Sequence, residues 1–76
     1  MTIKILGSGC PKCKKLEENA RTAVANTGIN AVIEKVTDMG KIMDYGVMMT
    51  PAIVIDEVVK STGKLLSPEE IAKFFV

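Results

Sequence analysis

Histidine is absent from this chain, cysteine occurs only twice, and the aromatic residues are Tyr45, Phe74 and Phe75 alone. A structural zinc site takes four Cys or His ligands, so one copy of the chain cannot close one. Two cysteines are also too few for the bridge-dense scaffold of a small secreted domain. With a net charge of +1 and so few aromatics, the chain lacks the basic, base-stacking face of a nucleic-acid binder. No apolar run approaches the roughly 18 residues of a membrane span. The opening "MTIKILG" lacks the apolar core and small-residue cleavage site of a secretory leader. These absences give the expectation of a cytoplasmic monomer that binds neither membrane nor nucleic acid.

What the chain does contain is the composition of a folded protein, 47% hydrophobic and 25% charged residues, without repeats or low-complexity tracts. Its 76 residues form one domain, 1–76, with no visible linker. So small a domain buries only about 60% of its unfolded surface, and its core is thin.

Thr2 to Leu6 reads as a strand, stopped by Gly7-Ser8-Gly9. Cys13, Leu16, Ala20, Ala23, Val24 and Thr27 then fall on one helical stripe, and Gly28 is placed to end that helix. Asn30 to Val36 is a second strand, and a short helix runs from an N-cap at Thr37 or Asp38 to about Tyr45. Pro51 to Ile55 reads as a strand buried on both faces, with Glu57 to Ser61 as its antiparallel partner. Asp56-Glu57 is a poor pair for a two-residue turn that needs positive φ at both positions, so a longer or bulged connection is expected. Ser67, Pro68 and Glu70 write a capping box, with Leu66 and Ile71 as its hydrophobic staple and Ile71, Phe74 and Phe75 facing the core. The order is β-α-β-α-β-β-α, an α/β pattern in which strands joined through helices are expected parallel and the final hairpin antiparallel.

Both cysteines lie in "GSGCPKCKKL". With Pro11 at the first helical position, Cys10 sits at the helix tip, where unpaired N–H groups and the positive end of the helix dipole favour an anion. A thiolate is such an anion, and thiolate is the attacking species in disulfide exchange. Cys13, one turn on, shares the inward stripe with Leu16 and lies within disulfide reach of Cys10. This asymmetry suits exchange: Cys10 presented to a substrate disulfide, Cys13 withheld to release the product. A purely structural bridge is less suited, because closing so short a loop removes little chain entropy.

Pro11 and Lys12 are candidate tuners of the thiols. Lys12, Lys14 and Lys15 either stabilise the thiolate, dock an acidic reductase, or simply keep the helix face solvated, with Lys14–Glu18 and Glu17–Arg21 as i,i+4 pairs. Lys4, on the strand leading in, is a further candidate to reach the site. Two other classes stay open on the residues alone. Cu(I) accepts two thiolates, so a copper-chaperone-like domain is one rival, and a dithiol sensor that cycles without turnover is another. Met39, Met43, Met48 and Met49 are expected as core filler rather than thioether ligands.

CxxC opening a helix within a βαβ unit, "YGVMMTPA" at Tyr45 to Ala52, and "STGKLLSPEEI" at Ser61 to Ile71 together resemble the thioredoxin superfamily over nearly the whole chain. By size the sequence is similar to the glutaredoxin-sized, thioredoxin-like "redox-active disulfide" proteins of archaea and anaerobic bacteria. The resemblance implies a thioredoxin-like fold, with a central mixed four-stranded sheet flanked by three helices. It implies a thiol-disulfide oxidoreductase of cell redox homeostasis and electron transport that acts through a mixed disulfide and needs no cofactor or metal beyond the Cys10–Cys13 disulfide. Cys10 is then the attacking and Cys13 the resolving cysteine. Pro51 is a cis-proline facing them, and Thr50 exposes backbone to an extended substrate peptide. Protein disulfides are the implied substrates.

The departures are equally specific. Gly9 stands where thioredoxins carry a tryptophan, and the buried acid of their preceding strand has no counterpart, so the proton acceptor for Cys13 is unassigned. Lys12 replaces the tyrosine of the glutaredoxin motif, and Ser61-Thr62-Gly63 lacks the aspartate that follows in glutathione binders. A flavin-containing thioredoxin-reductase-like enzyme is therefore the implied reductant in place of glutathione.

Overall fold

In the computed structural model, which describes residues 1–75, strand β1 (Thr2–Leu6) leads into helix α1 (Pro11–Thr27) and strand β2 (Val32–Val36). Helix α2 (Met39–Asp44), the hairpin β3 (Ala52–Ile55) and β4 (Val58–Thr62), and helix α3 (Pro68–Ala72) follow, with a 3-10 turn at Lys73–Phe75. The sheet order is β2-β1-β3-β4. β1 runs parallel to β2 but antiparallel to β3, which is antiparallel to β4, so the sheet is mixed.

That topology corrects the expectation that both helical connections join parallel strands. Helix α2 has six residues and spans about 9 Å at 1.5 Å per residue, whereas a five-residue strand runs about 17 Å. The chain therefore stays at the edge where β2 ended: Leu6 pairs with Val36 on one side and with Ala52, the first residue of β3, on the other. β1 and β3 occupy the middle of the sheet. Ile3, Ile5, Ile53 and Ile55 pack against Leu16, Ala20 and Ala23 of α1 and against Leu66 and Ile71. Leu6, Ala52 and Val54 face the opposite way, onto Ile42 and Val47. All four β3 residues are buried, which is why the strand reads as an unbroken apolar run. Full burial of Leu16 alone stabilises by about 1.5–3 kcal/mol.

The helix ends follow their sequence signals. Gly28 adopts a left-handed φ of 67°, and its N–H donates to Val24 O at 3.0 Å. Both halves of the α3 capping box form: the Glu70 N–H donates to Ser67 Oγ and the Ser67 N–H to Glu70 Oε1, each at 3.2 Å. Asp38 caps α2 by accepting the Gly40 N–H at 2.8 Å.

Two local expectations need correction. The β3–β4 turn is tight, with Asp56 and Glu57 at φ 49° and 68°. The extra residue, Lys60, bulges instead within the ladder, between the pairs Val54–Val59 and Ile53–Ser61. Hydrogen bonds to Thr2 hold the unfavourable turn: the Thr2 N–H donates to Asp56 Oδ1 at 2.9 Å, and the Asp56 N–H donates back to Thr2 O at 2.9 Å. Second, the methionines are not core filler. Met39, Met43, Met48 and Met49 are 58, 68, 96 and 65% exposed, because α2 buries only Ile42 and Met48 and Met49 lie on the loop that follows. Phe74 and Phe75 reach the core only partly.

Candidate active site

The loop after β1 delivers Cys10 to the tip of α1 in an extended conformation (φ −65°, ψ 163°), with Pro11 at the first helical position. The Cys13 N–H donates to Cys10 Sγ at 3.3 Å, so the sulfur serves as the helix cap itself. Cys10 and Cys13 are joined by a disulfide across a Cα–Cα distance of 5.1 Å. Exposure divides the pair: Cys10 is half-buried, and Cys13, on the inward stripe, is 5% exposed.

Gly7 makes room for this arrangement. A Cβ at Gly7 would overlap Cys13 Sγ, approach Cys13 Cβ to 3.0 Å and touch Thr50 Cβ at 3.9 Å. Cys13 and Thr50 thus flank the same glycine, which brings the loop before β3 against the dithiol. The Thr50–Pro51 bond is cis, Pro51 is buried, and its carbonyl accepts the Gly63 N–H at 2.8 Å. Thr50 is exposed and, among the described residues, makes no backbone–backbone hydrogen bond. Lys12 and Lys14 are exposed and form no ion pair among the described residues. Glu18 pairs with Lys15 at 3.6 Å rather than with Lys14, and the Glu17–Arg21 pair forms at 2.8 Å.

This combination is a cysteine pair at a helix tip with one residue half-buried and one covered, beside a cis-proline loop. The sequence model of the thioredoxin domain matches residues 1–76. The chain belongs to the thioredoxin family. It is 42% identical over 73 residues to a thioredoxin of Methanothermobacter thermautotrophicus, an alignment covering 96% of this chain and 95% of that protein. It is 45% identical over 71 residues to a thioredoxin of Methanocaldococcus jannaschii, covering 93% of this chain and 81% of that protein. It is a thiol-disulfide oxidoreductase, with Cys10–Cys13 as its redox-active disulfide and protein disulfides as its class of substrate. No helix among the described residues is long and apolar enough to cross a membrane.

Lys4 does not reach the thiols. It points to the α2 face, where its Nζ donates to Glu57 Oε1 at 2.6 Å and to Tyr45 Oη at 2.9 Å. The Tyr45 hydroxyl in turn donates to Glu57 Oε2 at 3.1 Å. The Glu57 carboxylate, followed by Tyr45, holds the Lys4 ammonium well above its ordinary range, and Lys4, followed by Tyr45, holds the Glu57 carboxyl below its own. This network borders an open cleft of about 810 Å³ lined also by Asp38 and Lys41, and neither cysteine faces it. Sequence reasoning missed it because Lys4 and Glu57 meet only once β1 and the hairpin turn are side by side. It also missed Lys35, on β2, which brings its Nζ to 3.7 Å from Glu17 Oε1.

Proposed function

We propose that the chain reduces protein disulfides with Cys10 as nucleophile and Cys13 as resolving thiol, on a single domain spanning 1–76. Cys10 thiolate attacks one sulfur of the substrate disulfide, which forms a mixed disulfide and expels the other substrate sulfur. Cys13 then attacks Cys10 Sγ, the mixed disulfide breaks, and the second substrate thiolate leaves as the Cys10–Cys13 disulfide closes. The observation that carries this reading is the unequal exposure of the two cysteines at one helix tip: the capping N–H groups and helix dipole favour negative charge on Cys10, while Cys13 lies beneath Gly7. Thr50, exposed beside the dithiol with its backbone groups free of backbone bonds, pairs with an extended substrate segment, and Pro51 fixes that loop.

The unpaired Lys12 and Lys14 beside the dithiol support docking of an acidic surface, and the reductant in this reading is a flavin-containing thioredoxin-reductase-like enzyme, not glutathione. Cytoplasmic residence fits a dithiol that must be reduced again after each turnover. Trapping tests the roles. Cys13→Ser should accumulate a mixed disulfide through Cys10 with a disulfide-bonded substrate, and Cys10→Ser should not. The reverse pattern would reassign the nucleophile.

A further inference from the structure

Resolution requires Cys13 as a thiolate, yet Cys13 is nearly covered, so its proton needs an acceptor within the protein. Cys13 borders a small cavity of about 10 Å³, room for one water, with Ile5, Gly7 and Gly9. The charged groups facing that cavity are Lys14 and Glu17 from α1 and Lys35 from β2, and Thr37 closes it. Glu17 is its one carboxylate among the described residues. Glu17 stands one turn beyond Cys13, and helical side chains lean toward the N-terminus, so the two residues line the same cavity. The side chain is only 16% exposed, unusually covered for a glutamate on an outer helix turn. Arg21 holds Oε2 at 2.8 Å, while among the described residues Oε1 has only the long 3.7 Å approach of Lys35 and is the oxygen left to take a proton.

We propose that Glu17 is the proton acceptor for Cys13 in the resolving step, acting directly or through one water in this cavity. The proposal rests on the assignment of Cys13 as the resolving thiol. In the mixed disulfide, the Cys13 S–H proton passes to the Glu17 carboxylate. The Cys13 sulfur electron pair forms the bond to Cys10 Sγ, and the bond between Cys10 and the substrate sulfur breaks. The departing substrate thiolate is protonated from Glu17, which returns to carboxylate. Two electrons have moved to the substrate, the protein is left as the disulfide, and no further reactant is needed.

The test is Glu17→Gln, which keeps size and hydrogen-bonding capacity and removes the base. Stopped-flow reduction of an aromatic disulfide would separate formation of the mixed disulfide from its resolution. The expected result is mixed-disulfide formation within twofold of wild type, in both the intact and Cys13→Ser backgrounds, and resolution slowed about 100-fold near neutral pH. The deficit should shrink about tenfold per pH unit as pH rises and Cys13 ionises to bulk base. Glu17→Asp should restore part of the rate, and Arg21→Ala, which breaks the ion pair but leaves the carboxylate, should keep most of it. Resolution of Glu17→Gln within twofold of wild type at every pH overturns the proposal, as does an equal loss in Arg21→Ala, which would make the residue structural. Failure of the underlying roles looks different: Cys13→Ser would then accumulate no mixed disulfide whatever stands at position 17.

Discussion

The absence of a side chain at Gly7 permits a quantitative test of how the site is packed. In Gly7→Ala the new methyl would occupy the space of Cys13 Sγ and press on Cys13 Cβ at 3.0 Å. Gly7 itself is buried, so neither group can retreat into solvent. Overpacking of this kind costs about 1–3 kcal/mol, a large share of the roughly 5–15 kcal/mol that stabilises a native protein. The cost should depend on redox state. In the disulfide, Cys13 Sγ is tethered to Cys10, whereas the free thiol can change rotamer and yield to the methyl. The oxidised form should therefore lose about 1–3 kcal/mol, seen as a fall in melting temperature of about 4–8 °C per kcal/mol, and the reduced form distinctly less. Because 30 mV corresponds to about 1.4 kcal/mol for a two-electron couple, the reduction potential should rise by about 20–60 mV if the oxidised form bears all the strain. Thermal unfolding of both forms and equilibration against a dithiothreitol buffer would measure the two sides of that cycle. Gly9→Ala is the control: its Cβ meets nothing within 4 Å, but its φ is +89°, so it should destabilise both forms alike. A Gly7→Ala protein with unchanged stability and potential would refute the close approach of β1's loop to Cys13.

Other perturbations probe parts away from the thiols. Ser67→Ala removes one half of the α3 capping box and should cost about 0.5–2 kcal/mol, measured by urea unfolding, with disulfide reductase activity preserved. Glu57→Gln should lower stability only over a bounded pH range. The Glu57 carboxyl is held low, so its contribution is present above the ordinary carboxylate range and is lost as pH falls through the lowered folded value. The Lys4 ammonium is held high, so its contribution is full below its ordinary range and is lost as pH rises through the raised folded value. The gap between wild type and variant should thus be level at neutral pH and close at both extremes. A gap that survived unchanged in strong acid would mean the pair's charge is not what stabilises the turn.

The residues that announce themselves in the sequence are those whose role is local. Cys10 with Pro11, Asp38, Gly28 and the Ser67–Glu70 box each act within one turn of helix, and each stands where its spacing indicated. The β3 run was legible for the same reason, since burial on both faces leaves no polar residue to interrupt it. What depends on distant partners was not legible. The direction of β3 is set by the shortness of α2 and the loop after it, not by any residue in the strand. Asp56 and Glu57 tolerate positive φ because Thr2, Lys4 and Tyr45 hold them, residues 12 to 54 positions away. The methionines misled because side-chain type alone does not tell core from surface in a six-residue helix with one buried position. Of the site, both cysteines and the loop at Thr50–Pro51 could be read. Glu17 was seen only as half of a helical ion pair, since its place beside Cys13 depends on β2 and the Gly7 loop closing the cavity.

The Lys60 bulge bears on how such a chain survives at high concentration. Its β3 segment is an apolar ribbon of the kind that stacks into fibrils once exposed, and an open sheet offers two margins on which a foreign strand could add. On the β4 margin, the surplus residue breaks the spacing of the hydrogen-bonding groups and sets a lysine at the break. On the β2 margin, exposed Glu34 and Lys35 place opposite charges next to each other along the free backbone. Both rims of the sheet are therefore poor templates, and the folded state guards against polymerisation as well as enclosing the strand that would drive it.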